Sequence, residues 1–185
     1  LGNYTFDVYG NWIHSGSVTV GNSTVVFKGN EAQSIMGTGG PAFYKLNIDN
    51  SFGTVQMLAL TTVRNQLNLL KGTLQTNGNL LLKSEAGSSG SIGPIQSGAD
   101  ISGNVTIERY LPASYSGYTY LGTTVSGLTF ADWNDDLVTT GFPGSQYPSY
   151  SFNNIYWYNE TLNGGRNVGW TGATNITNTI NINRG

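Results

Sequence analysis

Val25-Val26-Phe27-Lys28, Leu46-Asn47-Ile48-Asp49 and Leu67-Asn68-Leu69-Leu70 are three short runs whose first residues stand 21 positions apart. In each, the first and third residues are apolar and the second and fourth mostly polar. Period-two alternation sends one set inward and the other toward solvent. Two equal successive intervals match one coil of a β-solenoid, where each repeat stacks on the last and buries a continuous core. Asn47 and Asn68 then hold equivalent outward sites one coil apart, placed to stack as a side-chain ladder. Leu80-Leu81-Leu82-Lys83 and Val105-Thr106-Ile107-Glu108 continue the alternation at intervals of 13 and 25. Thirteen residues are too few for a coil of that size, so the stack is irregular or ends there. An up-and-down antiparallel sheet suits the same closely spaced turn signals.

Composition points the same way. Of 185 residues, 26 are Gly, 21 Asn, 21 Thr and 17 Ser, close to half the chain in residues that favour turns and caps. A long-helix protein is excluded. The 38% hydrophobic and 12% aromatic content suffices to bury a core, so the chain is not a disordered one. What remains is all-β, with many short strands. A net charge of −2 with 8 Lys+Arg excludes a basic nucleic-acid surface. No apolar run approaches the roughly 20 residues that span a bilayer, so no membrane insertion is expected. The absence of Cys excludes thiol catalysis and disulfides, and a lone His14 excludes a multi-histidine zinc site. The chain starts at Leu1 with no basic-plus-apolar leader and reads as a processed or excised piece.

The two halves differ in texture. Residues 110–170 hold 14 of the 22 aromatics, against 8 in residues 1–109. The predicted division is therefore a β-solenoid-like repeat region over 1–108 and a β-sandwich-like domain over 109–185, truncated at its C-terminus. The Gly/Ser stretch Gly87–Ser91 reads as a wide loop within the first region, because the strand at Val105 still follows it. In the second region Tyr118–Leu121, Ile155–Tyr158 and Ile176–Ile182 read as strands, and the Gly/Pro-rich segments between them as loops.

Several segments carry a resemblance. Ala32–Gly37, Phe43–Asn50, Gly72–Leu80, the junction Gly103–Pro112 with its Glu-Arg-Tyr-Leu-Pro run, Tyr120–Val125, Gly141–Ser145 and Tyr156–Glu160 resemble repeat and junction domains of large secreted adhesin-like cell-surface proteins. Those proteins belong to bacteria with type IX secretion. The resemblance implies export to the cell surface and a stalk or adhesive role, and it brings no catalytic set to transfer.

Four groups of residues are candidates for chemistry. Asp132, Asn134 and Asp136 are spaced as oxygen ligands for Ca²⁺, although the Gly and Glu that complete a calcium loop are replaced by Leu137 and Pro143. The competing reading of this cluster is a helix or turn cap. Tyr147, Tyr150, Trp157 and Trp170, with Tyr156 and Tyr158 nearby, offer flat apolar faces for sugar rings, and Asn153, Asn154 and Asn159 offer hydrogen bonds. Alternation in Ile155-Tyr156-Trp157-Tyr158 puts the two Tyr on one face and Ile155 with Trp157 on the other, and one face must be core. Asp49, Asp100 and Glu108 are the acids that a sugar-cleaving solenoid face would need as neighbours. Arg109 is placed to brace the two halves by pairing with an acid or stacking on an aromatic.

The expected architecture is a short irregular β-solenoid followed by an aromatic-rich β-sandwich. The expected function is a non-catalytic, extracellular structural or adhesive segment of a bacterial surface protein, with self-assembly into a fibre as an extension. No resident cofactor is expected beyond the Ca²⁺ candidate. The partners are surface glycans or other copies of the chain. Two alternatives are a carbohydrate-binding module built on the aromatics of 142–170 and, third, a polysaccharide-lyase-like β-helix enzyme.

Overall fold

In the computed structural model, which describes residues 1–112, 117–123 and 126–180, the alternating runs build stacked parallel strands. The chain divides into two compact units, Leu1–Tyr115 and Ser116–Gly185. Regular structure is nearly all β, and the one helical turn among the described residues is a 3-10 turn at Phe130–Trp133. No helix among them is long and apolar enough to cross a membrane.

Unit 1 contains β1 (Thr5–Val8), β2 (Trp12–Ile13), β3 (Thr24–Gly29), β4 (Gln33–Met36), β5 (Ala42–Met57) and β6 (Thr61–Gln75). It continues with β7 (Leu80–Leu82), β8 (Ser84–Glu85), β9 (Ser88–Ser89), β10 (Ser91–Ile92), β11 (Ala99–Ser102) and β12 (Val105–Ile107). These wind into a parallel solenoid with three faces. On the first face Phe6, Val25, Leu46, Leu67 and Ile92 occupy five successive rungs in register. The second carries Trp12, Ile35 and Met57, and beside them Val55, Leu74 and Ile101. The third stacks Phe43, Val63, Leu82 and Ile107. β5 and β6 are long, 16 and 15 residues, because each bends through two corners and serves all three faces. Their mutual register slips between Phe43 and Lys45 and again between Ile48 and Thr54, and bulges of this kind bend a strand.

The core follows from the alternation. Val25, Phe27, Leu46, Ile48, Leu67 and Leu69 are buried on the first face, and Ile35, Met57, Phe43, Val63 and Leu82 close the interior from the other two. Each such side chain contributes about 1.5–3 kcal/mol by leaving water. Trp12 and Phe27 both meet Phe43 edge-on, at ring-centroid distances of 5.3 and 6.4 Å. Burial falls off toward both ends of the stack: Phe6 and Val8, and likewise Ile92, Ile101 and Ile107, are only partly buried.

A buried polar corner ties three rungs together. Gln33 donates from Nε2 to the carbonyls of Val8 (2.9 Å) and Gly10 (2.8 Å). Asn50 donates to Gln33 Oε1 (3.0 Å) and to the Glu31 carbonyl (2.7 Å), and its own Oδ1 accepts the Gly53 N–H (2.9 Å). Gly72 occupies the next rung at φ +78°, and a Cβ there would lie 1.9 Å from the Asn50 carbonyl oxygen. Outside, Asn68 Nδ2 donates to Asn47 Oδ1 at 2.8 Å, which is the predicted ladder.

Two expectations change. The antiparallel alternative fails, because every pairing in unit 1 except the β8–β9 hairpin is parallel. The stack also does not end at Leu80. Leu80 lies on the third face over Thr61, 19 residues earlier, and Val105 lies over Leu80 in turn. The interval of 13 therefore compares residues on two different faces of successive coils. Coils later in the chain are longer, with Leu67 over Ile92 and Gly72 over Ala99, and the additional residues include the β8–β9 hairpin. The Gly87–Ser91 stretch is that hairpin and its exit, inside unit 1, as the loop reading required.

Unit 2 has β13 (Tyr156–Tyr158) and β14 (Trp170–Gly172), paired antiparallel, plus single bridges Thr129–Thr179 and Thr140–Tyr147. Phe130, Phe142 and Ala173 form its buried core, with Trp133, Ile155, Ile176 and Ile180 packed against it. Tyr118–Leu121 lies outside any strand, and Ile176–Thr177 is a turn; Asn181 and Ile182 lie outside the described residues. The cause is local. Asn178 Oδ1 accepts from Thr174 N and Oγ1 and from Asn175 N, while Asn175 Oδ1 accepts from Thr177 N and Oγ1. These side-chain turns offer the backbone an alternative to a ladder, and here they displace it.

Candidate functional site

The β13–β14 hairpin sorts the aromatics of unit 2. Its register pairs Tyr156 with Gly172, Trp157 with Thr171 and Tyr158 with Trp170. Alternation turns Trp157 to the side of Phe130, on which it stacks at 6.4 Å and 24°, but the Trp157 ring stays 38% exposed, as open as Tyr156. Tyr156 and Tyr158 face the other way. Tyr156 meets Tyr118 edge-on at 6.0 Å, and Tyr158 meets Trp170 edge-on at 5.2 Å. Tyr120 completes this second set, tilted 39° to the Trp170 ring at 6.1 Å.

The connecting loop closes over one side. Asn159 Oδ1 accepts the Thr161 N–H (3.0 Å) and hydroxyl (2.7 Å), which starts the loop as a side-chain turn. Asn159 N–H donates to the Gly169 carbonyl at 2.7 Å, so the two ends of the loop meet. Gly169 sits where a Cβ would lie 2.6 Å from Tyr158 Cε2, so only glycine lets the Tyr158 ring cross at that height. The result is a groove of about 450 Å³ lined by Tyr120, Tyr158, Arg166, Asn167 and Trp170. That size falls within the roughly 300–1,000 Å³ of small-ligand sites. Tyr120 is 84% exposed, so its face is open to a ligand.

Of the four aromatic candidates, Trp170 alone lines this groove. Tyr147 and Tyr150 pair with each other edge-on at 5.7 Å, with no ring contact to Trp157 or Trp170. Trp157 is held by Phe130. The asparagines expected to meet a sugar are engaged with the chain itself. Asn153 donates to the Ala173 carbonyl (2.6 Å), and Asn154 donates to the Val138 carbonyl (2.6 Å) while accepting the Thr140 N–H (2.9 Å). Sequence reasoning passed over Tyr120, Arg166 and Asn167. One signal was available for Arg166: it is the sole Lys or Arg between residues 117 and 180.

The acidic cluster serves the fold. Asp132 accepts the Thr129 N–H (2.7 Å) and hydroxyl (2.9 Å) at the start of the 3-10 turn, and these bonds hold its carboxyl below the usual carboxylate range. Asn134 Oδ1 accepts the Thr139 hydroxyl. Among the described residues no group of three His, Cys, Asp or Glu is placed to hold a metal ion.

The three acids considered for sugar cleavage fall on three different solenoid faces. Asp49 belongs to the first face, beside Lys71 at 3.8 Å; Asp100 to the second, over Thr73; Glu108 follows the third-face strand β12. Glu108 pairs with Lys83 at 2.9 Å and accepts the Ser84 N–H, and the Lys83 bond above all holds its carboxyl below the ordinary range. Arg109 makes no ion pair among the described residues. His14 packs against Gly37 and Gly39, with neither ring nitrogen hydrogen-bonded. A second concavity, about 430 Å³, lies on unit 1 between Val18–Asn22, Tyr44, Arg64 and Glu85.

The chain matches no family model, no curated protein and no solved structure. The likeness to type IX surface proteins therefore stands on the sequence segments themselves.

Proposed function

We propose that the chain is a non-catalytic, extracellular structural or adhesive segment, in which the solenoid acts as a spacer. One observation carries this reading: the ion pairs of unit 1 all run between stacked rungs. Lys28 pairs with Asp7 at 2.9 Å, Lys71 with Asp49 at 3.8 Å, and Lys83 with Glu108 at 2.9 Å. In these three pairs charge bridges successive rungs and serves cohesion of the stack. The Asn47–Asn68 ladder and the Gln33–Asn50 corner do the same with neutral groups. A rung stack of this kind has nearest-neighbour energetics and a fixed rise, which suits a spacer.

Assembly into a fibre extends the proposal. Partly buried Phe6 and Val8 on the first rung, and Ile92 and Ile101 on the last, leave apolar surface and parallel strand edges at both ends. Sedimentation velocity over a wide concentration range tests it: end-to-end association predicts species that lengthen with concentration. A chain that stays monomeric throughout overturns the fibre.

A second reading, a carbohydrate-binding module in unit 2, is favoured by the groove at Tyr120, Tyr158 and Trp170. It replaces the broader aromatic set of 142–170 with residues that share one surface. Glycan-array screening of the intact chain tests it, with loss of binding in Trp170→Ala and retention in Trp157→Ala as the expected pattern. Equal binding by the wild type and both variants overturns the groove as the site.

A further inference from the structure

We infer that the Tyr120–Tyr158–Trp170 groove selects a carboxylate-bearing sugar, a uronic or sialic acid, through Arg166. This inference rests on the carbohydrate reading of the same groove and adds the ligand's charge. The first support is where the cation lies. Residues 117–180 contain Asp132, Asp135, Asp136 and Glu160 but a single basic residue, Arg166, and it lines the groove. The second is that Arg166 makes no ion pair and no side-chain hydrogen bond among the described residues. The guanidinium therefore keeps its planar fork of donors free for a carboxylate, which it meets with two parallel hydrogen bonds.

The shape of the groove fits a pyranose. Trp170 touches Tyr120, tilted 39° at 6.1 Å, and Tyr158, edge-on at 5.2 Å, so the three rings make one continuous aromatic platform. A platform suits the CH-rich face of a sugar ring, and Arg166 and Asn167 lie beside it to meet the polar rim. A single net charge on the ligand matches a single cation. A dianionic phosphate calls for more positive charge than this acidic unit supplies, so the carboxylate is the better partner.

Calorimetric titration of the intact chain tests the inference with two probe pairs. One pair is galacturonate and its methyl ester; the other is sialyllactose and its methyl ester. Each ester keeps the ring and removes the charge, and the two pairs distinguish uronate from sialate. The expected result is roughly ten- to a hundredfold tighter binding of at least one free acid than of its ester. Arg166→Gln is expected to erase that ratio by weakening the acid far more than the ester, and Arg166→Lys to restore part of it. Tyr120→Ala, at an exposed position, is expected to weaken acid and ester together. Equal affinity for acid and ester, unaffected by Arg166→Gln, overturns the charge selectivity and leaves the carbohydrate reading standing. No heat with any of the four probes, together with an empty glycan array, overturns both.

Discussion

Replacing Asn50 with Ala cuts the solenoid at its buried corner. Asn50 is fully buried, and its amide satisfies three partners at once: the Gln33 side chain, the Glu31 carbonyl and the Gly53 N–H. An orphaned buried polar group costs about 1–3 kcal/mol. Gln33 Oε1 is the partner left without water, so it takes a full cost of about 2 kcal/mol. The bonds to the Glu31 carbonyl and the Gly53 N–H are part-buried, and water entering the vacated corner reduces each cost to about 1 kcal/mol. The sum is roughly 4 kcal/mol, a large fraction of the 5–15 kcal/mol that holds a typical protein folded. Asn68→Ala is the control: it removes one part-buried ladder bond, for a loss of about 1 kcal/mol. Urea unfolding of the intact chain, followed by far-UV circular dichroism, measures both. The reasoning is refuted if Asn50→Ala loses no more stability than Asn68→Ala.

Three further outcomes follow from the same geometry. Gly72→Ala places a Cβ 1.9 Å from the Asn50 carbonyl oxygen at φ +78°, so a loss of roughly 2–4 kcal/mol is expected in the same urea assay; an unchanged midpoint contradicts the register at that corner. Glu108 has a folded-state carboxyl pKa below its unfolded value, so its stabilisation is complete above about pH 4.3 and is lost as pH falls through the lower folded value. Glu108→Gln should therefore flatten the acid limb of a melting-temperature profile and leave the shape of the curve above pH 6 unaltered, whereas a parallel shift at all pH values would point to lost packing alone. Trp157→Ala removes the half-exposed ring stacked on Phe130 and should destabilise unit 2 by about 0.5–1.5 kcal/mol, read by near-UV circular dichroism on heating; a loss of ligand with no loss of stability would assign Trp157 to a binding site instead.

The aromatic reading shows how far sequence alone carries a site. Alternation over Ile155–Tyr158 separates Trp157, which stacks on Phe130, from the tyrosines on the opposite face, because side chains in a strand alternate whatever the partner strand is, but all three stay exposed and neither face is core at these residues. It gives no way to choose Tyr120 over Tyr147, because the two are held by contacts with different distant segments. Arg166 was legible as an isolated cation but not as a groove residue, since its position depends on Asn159 and Gly169 closing a loop whose ends are ten residues apart. The Asp132 cluster illustrates the reverse case. A carboxylate three residues past a Thr is as well spaced for capping a turn as for a cation, and Asp132 makes the capping bonds to Thr129.

The sequence by itself determined the all-β character and the 21-residue repeat through Val25, Leu46 and Leu67, with Asn47 and Asn68 equivalent in it, because period and spacing act along the chain; an antiparallel sheet suited the same turns, and only the strand pairing made the stack parallel. Only the tertiary structure decided which face each run belongs to, and so why Leu80 stands 13 residues after Leu67 without ending the solenoid. A corner sets the face, and corners here are made by bulges, by the buried Asn50 and by the close approach at Gly72, whose partners lie about one coil away. The groove is tertiary for the same reason: its rings and its one cation meet through contacts across unit 2, between segments that no local pattern joins.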